Sequence, residues 1–483
     1  MLALCLQVFL SLLVAFFLLY VVLEVWSIYK SKNTEKDNFI SVNARLAFLS
    51  DKQLPAVSVL LPVYNEKYVV AKLIDAVCAL QYSKEKLEIL LLDDSTDETC
   101  QIAMTRIEYH SQRGIPIRRV QRETRMGYKA GNLNFGLTLI KGNLVAIFDA
   151  DCLPPTDFLI QAVPYFADEK TGFLQSGIQY INRTASFLTQ FQAMLAGHKE
   201  DVTKGLSREG LMASLTGSSC IWRRSCIESI GGISTETITE DVDMGYKAQL
   251  DSWKYVFLPQ VVSQAELPET MGAFRVQRHR WARGLIHNAF RHFQSMFATP
   301  MPVLSRLHTI SLMFSSLLLA CFYVLLLLCL PVSLLTDSLG AFFHLSCTVF
   351  LFSAVVWAWC NTSGHGASRG AGNSSWKKLG YTLGYVVMFF PVALYYFVAA
   401  VQVFAGINGC FHRTPKGSGR KNIPHPPVNS LLVFLEVFSL VYALASLGIS
   451  LNEGNCWVAL FSALASSGFA LVLYFTWLDT SAT

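Results

Sequence analysis

Three polar clusters in this chain carry the residue types needed to displace a diphosphate. Asp149-Ala150-Asp151 sets two carboxylates at i, i+2, a spacing that lets both address one Mg2+ or Mn2+ bridging phosphate oxygens. Thr239-Glu240-Asp241 offers a carboxylate base for an attacking hydroxyl. Gln277-Arg278-His279-Arg280-Trp281 adds guanidinium forks that match phosphate oxygens. Each cluster also has an ordinary structural explanation. The first could be a solvated turn. The second could be a helix N-cap followed by first-turn acids. The third could be a basic amphipathic helix at a membrane surface, since Arg275, Arg278, Arg280 and Arg283 suit anionic headgroups.

What must position these groups is legible upstream. Val57 to Leu61, Leu87 to Leu92 and Leu144 to Phe148 are apolar runs that predict buried strands. Helical stretches near Val69 to Leu80, Glu98 to Gln112 and Ala130 to Leu139 separate them. Such alternation predicts an α/β domain with a mostly parallel sheet covered by helices. Each strand runs into polar residues, Tyr64-Asn65-Glu66, Asp93-Asp94 and Asp149-Ala150-Asp151. Ligands of open α/β sheets bind at the carboxyl ends of strands, so these groups are expected to converge on one crevice. That position, after an apolar strand and before Pro154-Pro155, favours a ligand role for the Asp pair over a turn.

The 483 residues are 52% hydrophobic and only 15% charged, against a usual charged share of about 25%. Apolar residues gather at Leu2 to Trp26 and again from about Leu307, while Lys52 to Arg306 has soluble composition. Leu2 to Val25 is long enough to cross a bilayer. Without a basic leader or small-residue cleavage site, it reads as an anchor rather than a signal peptide. Lys30, Lys32 and Lys36 follow it, which places the soluble domain in the cytoplasm by the positive-inside rule.

Leu307 to Leu335, Ala341 to Cys360, Leu431 to Ser450 and Cys456 to Trp477 read as two pairs of crossings around turns with no Lys or Arg. Leu379 to Ala405 lies between two basic loops and contains Pro391, so it reads as a broken helix in the interface. Six spans with one basic loop outside is the alternative. The twelve cysteines show no paired zinc-site spacing. The net charge of +5 comes without any long basic run, which argues against nucleic-acid binding.

The succession Pro62-Val63-Tyr64-Asn65-Glu66, Asp93-Asp94-Ser95, Lys129-Ala130-Gly131-Asn132, Asp149-Ala150-Asp151, Thr239-Glu240-Asp241 and Gln277-x-x-Arg280-Trp281 resembles the processive family 2 glycosyltransferases. Cellulose, hyaluronan and chitin synthases are among them. Thr216 to Arg224 and the Gln-x-His-Arg-Trp form are most similar to cellulose-synthase-like glucan and mannan synthases. The resemblance implies a GT-A-type, Rossmann-like catalytic domain joined to an α-helical transmembrane bundle. It assigns Tyr64 and Glu66 to the nucleotide base, Asp94 to base or ribose, and Lys129 to nucleotide or phosphate. Asp149 and Asp151 would take the metal and diphosphate, Asp241 the acceptor proton with Glu240 orienting it, Gln277 and Arg280 the diphosphate, and Trp281 the acceptor sugar. Phe411 to Lys416 resembles a gating loop that covers the nucleotide, departing from it at Arg413, so that Thr414 and Lys416 would reach the diphosphate; a plain juxtamembrane basic loop is the alternative.

The expected organisation is a membrane helix at 1–29, the catalytic domain at 51–270, interfacial helices at 271–300, a membrane pair at 306–360, the interfacial or broken helix at 379–406, the gating-like loop at 407–428 and a second membrane pair at 429–478. The expected activity is inverting polymerisation of a β-linked polysaccharide of glucan or mannan type with Mg2+ or Mn2+, and translocation of the product across the membrane. UDP-glucose is the favoured donor, with GDP-mannose and UDP-N-acetylglucosamine open. A non-processive transferase making a glycolipid is the alternative. Bacterial plasma membrane and Golgi membrane both suit the topology, and the growing glycan and the bilayer are the expected partners.

Overall fold

The computed structural model describes residues 2–32, 54–334, 341–363, 375–407 and 430–481. Its centre is a seven-stranded sheet built from β1 (Val57–Val63), β2 (Leu87–Asp93), β3 (Ile117–Val120), β4 (Leu144–Ile147), β5 (Thr171–Tyr180), β6 (Cys220–Arg223) and β7 (Lys254–Ala265). The strand order is β3-β2-β1-β4-β6-β5-β7. β1, β2, β3 and β4 run parallel, and β6 is antiparallel to both β4 and β5.

Both faces of the sheet are covered, which is why its strands read as unbroken apolar runs. Val57, Val59, Leu61 and Val63 of β1 turn to one core with Leu73, Ile74 and Val77 of α2 (Val70–Cys78). Leu60, Leu90 and Leu92 turn to the other core with Leu133 of α4 (Tyr128–Leu137). Each such fully buried side chain contributes about 1.5–3 kcal/mol. α3 (Thr99–Ser111) follows β2. The three strands and three helices expected from periodicity are all present, with ends shifted by a few residues. The antiparallel β6 and the long β5 and β7 were not foreseen.

The remaining helices are α1 (Leu2–Ser31), α5 (Phe158–Ala162), α6 (Phe187–Arg208), α7 (Arg224–Ser229), α8 (Glu240–Leu250), α9 (Met271–Ala298), α10 (Val303–Ser333), α11 (Ala341–Ser363), α12 (Ser375–Phe404), α13 (Ser430–Asn452) and α14 (Cys456–Ser481). By length and composition five of the described helices could cross a membrane: α1, α10, α12, α13 and α14. The apolar part of α11 is shorter, Leu345–Cys360.

One expectation is corrected here. The segment around Pro391 is not broken: α12 is a single 30-residue helix. Proline removes one N–H and frees the carbonyl four residues earlier, here that of Val387. Gly468 of α14 lies directly against that carbonyl, where a β-carbon would sit 2.2 Å from the oxygen. A neighbouring backbone thus covers the freed carbonyl and the helix carries through. α12 also touches α6 and α9. Tyr385 packs on Phe191 of α6 at 5.6 Å, and Phe404 on Phe290 of α9 at 5.4 Å.

Candidate active site

The strand order reverses direction between β1 and β4, and such a switch point opens a crevice at the carboxyl ends of the strands. Tyr64 and Glu66 follow β1 there, Asp94 follows β2, and Asp149 and Asp151 follow β4. All five line one cleft of about 350 Å3 together with Lys129, Glu240, Asp241, Gln277, Arg280 and Trp281. Thr414 and Lys416 lie outside the described residues.

The turn after β1 is pinned to the turn after β2. Asn65, at φ 56°, accepts from the Thr96 backbone N–H at 2.8 Å, and its own N–H donates to Ser95 Oγ at 2.9 Å. Asn tolerates this left-handed geometry because its short side chain bonds locally. Asp93 is fully buried, accepting from the Ser95 N–H and paired with Arg119 at 2.7 Å. Asp94 is gripped on both oxygens by Arg122, at 2.9 and 2.7 Å. Asp94 therefore lies in the cleft as half of an ion pair.

Lys129, on the first turn of α4, is the hub of the acidic cluster. Its Nζ lies 2.7 Å from Asp149 Oδ1 and 3.2 Å from Glu240 Oε1, and it donates to the Gly217 carbonyl at 3.4 Å. Burial opposes its charge, but Asp149, Glu240 and Asp241 hold the ammonium above its ordinary pKa. Ser218 Oγ accepts from the Asp149 N–H at 2.9 Å, so the Thr216 to Ser219 turn supports the end of β4.

Asp241 behaves differently. Burial, and then the neighbouring Glu240 carboxylate, push it up to about 6, with Lys129 pulling the other way. A carboxyl poised there is suited to general-base work near neutral pH. Arg280 faces the same group. Burial depresses its guanidinium, and Glu240, Asp241, Asp149 and Asp151 oppose that shift.

Two carboxylates are available for a divalent cation, Asp149 and Asp151. Among the described residues no three His, Cys, Asp or Glu side chains converge as a protein-only metal site. That donor set fits an ion shared with a diphosphate, which needs one or two carboxylates and takes its other oxygens from the ligand and water.

α9 bears the Gln277 to Trp281 cluster and also clamps the segment around Asp241. Thr239 stands at the N-cap of α8, yet its side chain does not cap the helix. Its Oγ1 and carbonyl instead accept from Asn288 Nδ2 at 3.0 and 3.1 Å. One turn earlier Gly284 lets the helix approach, since a β-carbon there would lie 2.4 Å from the Thr239 side chain. One turn later His292 meets the buried Asp243 at 2.9 Å. Gly284, Asn288 and His292 recur every four residues and so share one helix face. This spacing was visible in the sequence, but nothing there indicated that its partner was the Thr239 segment. Arg278 is buried rather than lipid-facing, stacking over Phe274 and Trp281 at 5.1 and 5.0 Å. The face of Trp281 thus carries a guanidinium.

Residues 55–284 match the glycosyltransferase like family 2. A probable glucomannan 4-beta-mannosyltransferase 3 of Oryza sativa subsp. japonica is 36% identical over 244 residues, 49% of this chain and 44% of its own length. Glucomannan 4-beta-mannosyltransferase 1 of Cyamopsis tetragonoloba is 31% identical over 297 residues, 60% of this chain and 56% of its own. The chain thus spans about half the length of the curated relatives it matches. A solved mannosyltransferase from Pyrobaculum calidifontis, in complex with GDP-Man and Mn2+, aligns over 80% of this chain and 100% of its own at 20% identity and a TM-score of 0.49.

Proposed function

We propose, from the premise that residues 55–284 are a family 2 glycosyltransferase domain, that this protein is a membrane-embedded, inverting transferase that builds a β-linked, mannan-type polysaccharide from a nucleotide-sugar. The observation that carries this is the meeting of Lys129, Asp149, Glu240, Asp241 and Arg280 in one cleft, with Asp241 held near pKa 6. GDP-mannose replaces UDP-glucose as the favoured donor, on the strength of the relatives' printed activity.

In the reaction, Asp241 accepts the proton of the acceptor hydroxyl. The acceptor oxygen forms its bond to the anomeric carbon as the carbon–oxygen bond to the diphosphate breaks. A single displacement inverts that centre, and an α-linked donor gives a β-linked product. Arg280 and Lys129 meet the charge that develops on the departing diphosphate. Asp149 and Asp151 would hold a divalent cation, which when bound neutralises phosphate charge. Tyr64 and Glu66 border the nucleotide base, and Trp281 with its stacked Arg278 borders the acceptor.

α12 packs along α13 and α14, with Tyr395 on Glu436 and Val387 against Gly468. By length and composition α1, α10, α12, α13 and α14 are the described helices able to make the crossings. A processive synthase gives high-molecular-weight product that is insensitive to lipid extraction and is degraded by an endo-β-mannanase. A product of one or two sugars that partitions into organic solvent would instead assign the enzyme to glycolipid synthesis.

A further inference from the structure

Arg125 lines the cleft beside Tyr64, while Arg122 is held behind it by the cleft residue Asp94, and the fold treats the two arginines differently. Arg122 is saturated. It grips both oxygens of Asp94 and donates to the Met126 and Tyr128 carbonyls at 2.6 and 2.8 Å. Arg125, three residues on, lines the cleft itself, and among the described residues its side chain has no hydrogen-bond acceptor and no carboxylate partner. Its Nε is buried and unpaired. The guanidinium carbon lies 3.4 Å from the centre of the Tyr64 ring and 5.0 Å from that of Tyr128.

A guanidinium seated over an aromatic ring can stack on its face and still offer its N–H groups to a planar partner. A buried Nε donor left unpaired costs free energy until a ligand satisfies it. A guanidinium edge is a two-pronged donor wanting two acceptors side by side. The two nucleobases under consideration differ on this point. Guanine presents N7 and O6 as adjacent acceptors, the pattern arginine reads bidentately. Uracil sets its O4 beside an N3–H donor, so the fork meets one acceptor and one prong stays unpaired.

We propose that Arg125, braced on Tyr64, is the base-reading residue of the donor site and selects a guanine over a uracil nucleotide. This rests on the glycosyltransferase reading above and sharpens its choice of donor. The full-length chain, purified in nanodiscs with Mn2+, is titrated calorimetrically with GDP and with UDP, comparing wild type, Arg125→Lys and Tyr64→Phe. Wild type is expected to bind GDP more tightly. Lysine keeps the charge and loses the fork, so Arg125→Lys weakens GDP roughly ten- to hundredfold and leaves UDP within about threefold. Tyr64→Phe keeps the ring and preserves the preference. Retained UDP binding reports an intact fold. If wild type prefers GDP and Arg125→Lys changes both nucleotides equally, or neither, Arg125 does not read the base and the donor assignment still stands. If wild type prefers UDP, the guanine-nucleotide donor itself is wrong and the role of Arg125 falls with it.

Discussion

Asp241 and Glu240 are adjacent carboxylates to which the proposed mechanism gives separate work, and titration tells them apart. With the ionised form of Asp241 as the proposed base, kcat/KM should be level above about pH 6 and fall about tenfold per unit below it. Glu240 raises Asp241, so removing its charge lowers the folded pKa. A pH profile of Glu240→Gln should therefore show the acid limb moved to lower pH, whatever happens to its plateau. An unmoved limb would assign the titration to another group. Both residues stood out in the sequence as part of Thr239-Glu240-Asp241, and the family resemblance supplied their expected roles. Their distinct environments were not legible there, because burial and the reach of Lys129 depend on a turn more than eighty residues away. Asp94 is the complementary case: the sequence marked it for ligand contact, and only the structure showed its bidentate partner Arg122.

At the scale of elements, the local period identified β1, β2, β4 and the helices between them because each is a continuous apolar or amphipathic run. It missed β3 and β6, four residues each with arginine among them, and the longer β5 and β7, where glycine, proline and polar residues interrupt the apolar run. The helix that carries Gln277 and Arg280 is also the one that fixes Thr239, which follows from three residues spaced by four. Gly284→Ala should displace α9 from Thr239 and lower kcat by about tenfold or more, with the far smaller change in melting temperature expected of one adjusted contact. Asn288→Ala should lower kcat in the same direction, since it unpins the segment that presents Asp241. Steady-state kinetics beside thermal melts checks both. Unchanged kcat in the two variants would mean that α9 serves the diphosphate alone.

Over the whole molecule, buried charges tie the catalytic domain to the membrane helices. Arg275 of α9 forks onto Glu436 of α13 at 2.7 Å twice, and Tyr395 of α12 donates to the same carboxylate at 2.6 Å. Glu24 of α1 accepts from Trp357 of α11 at 2.7 Å and faces His198 of α6 at 2.9 Å. Removing one partner of a buried pair leaves the other uncompensated. Glu436→Gln should therefore cost about 3–5 kcal/mol, while Arg275→Met with Glu436→Leu should recover much of the loss. Denaturation in detergent tests this; a double variant no more stable than the single one would mean that the pair contributes net stability.

None of these ties was legible, because Glu24 and Glu436 each stand alone in apolar segments and their partners are remote in sequence. The α12 helix was misread for a related reason. A proline in an apolar run predicts a break, and only the packing of Gly468 against the freed carbonyl removes it.

The central claim is that Asp241 drives sugar transfer from a guanine nucleotide donor. The most direct test follows radiolabel from GDP-mannose and, separately, UDP-glucose in the purified full-length chain with Mn2+ or Mg2+, beside Asp241→Asn. The account predicts incorporation from GDP-mannose into polymer, lowered about a hundredfold or more by the substitution. Incorporation from UDP-glucose alone, or a variant as active as wild type, would contradict it.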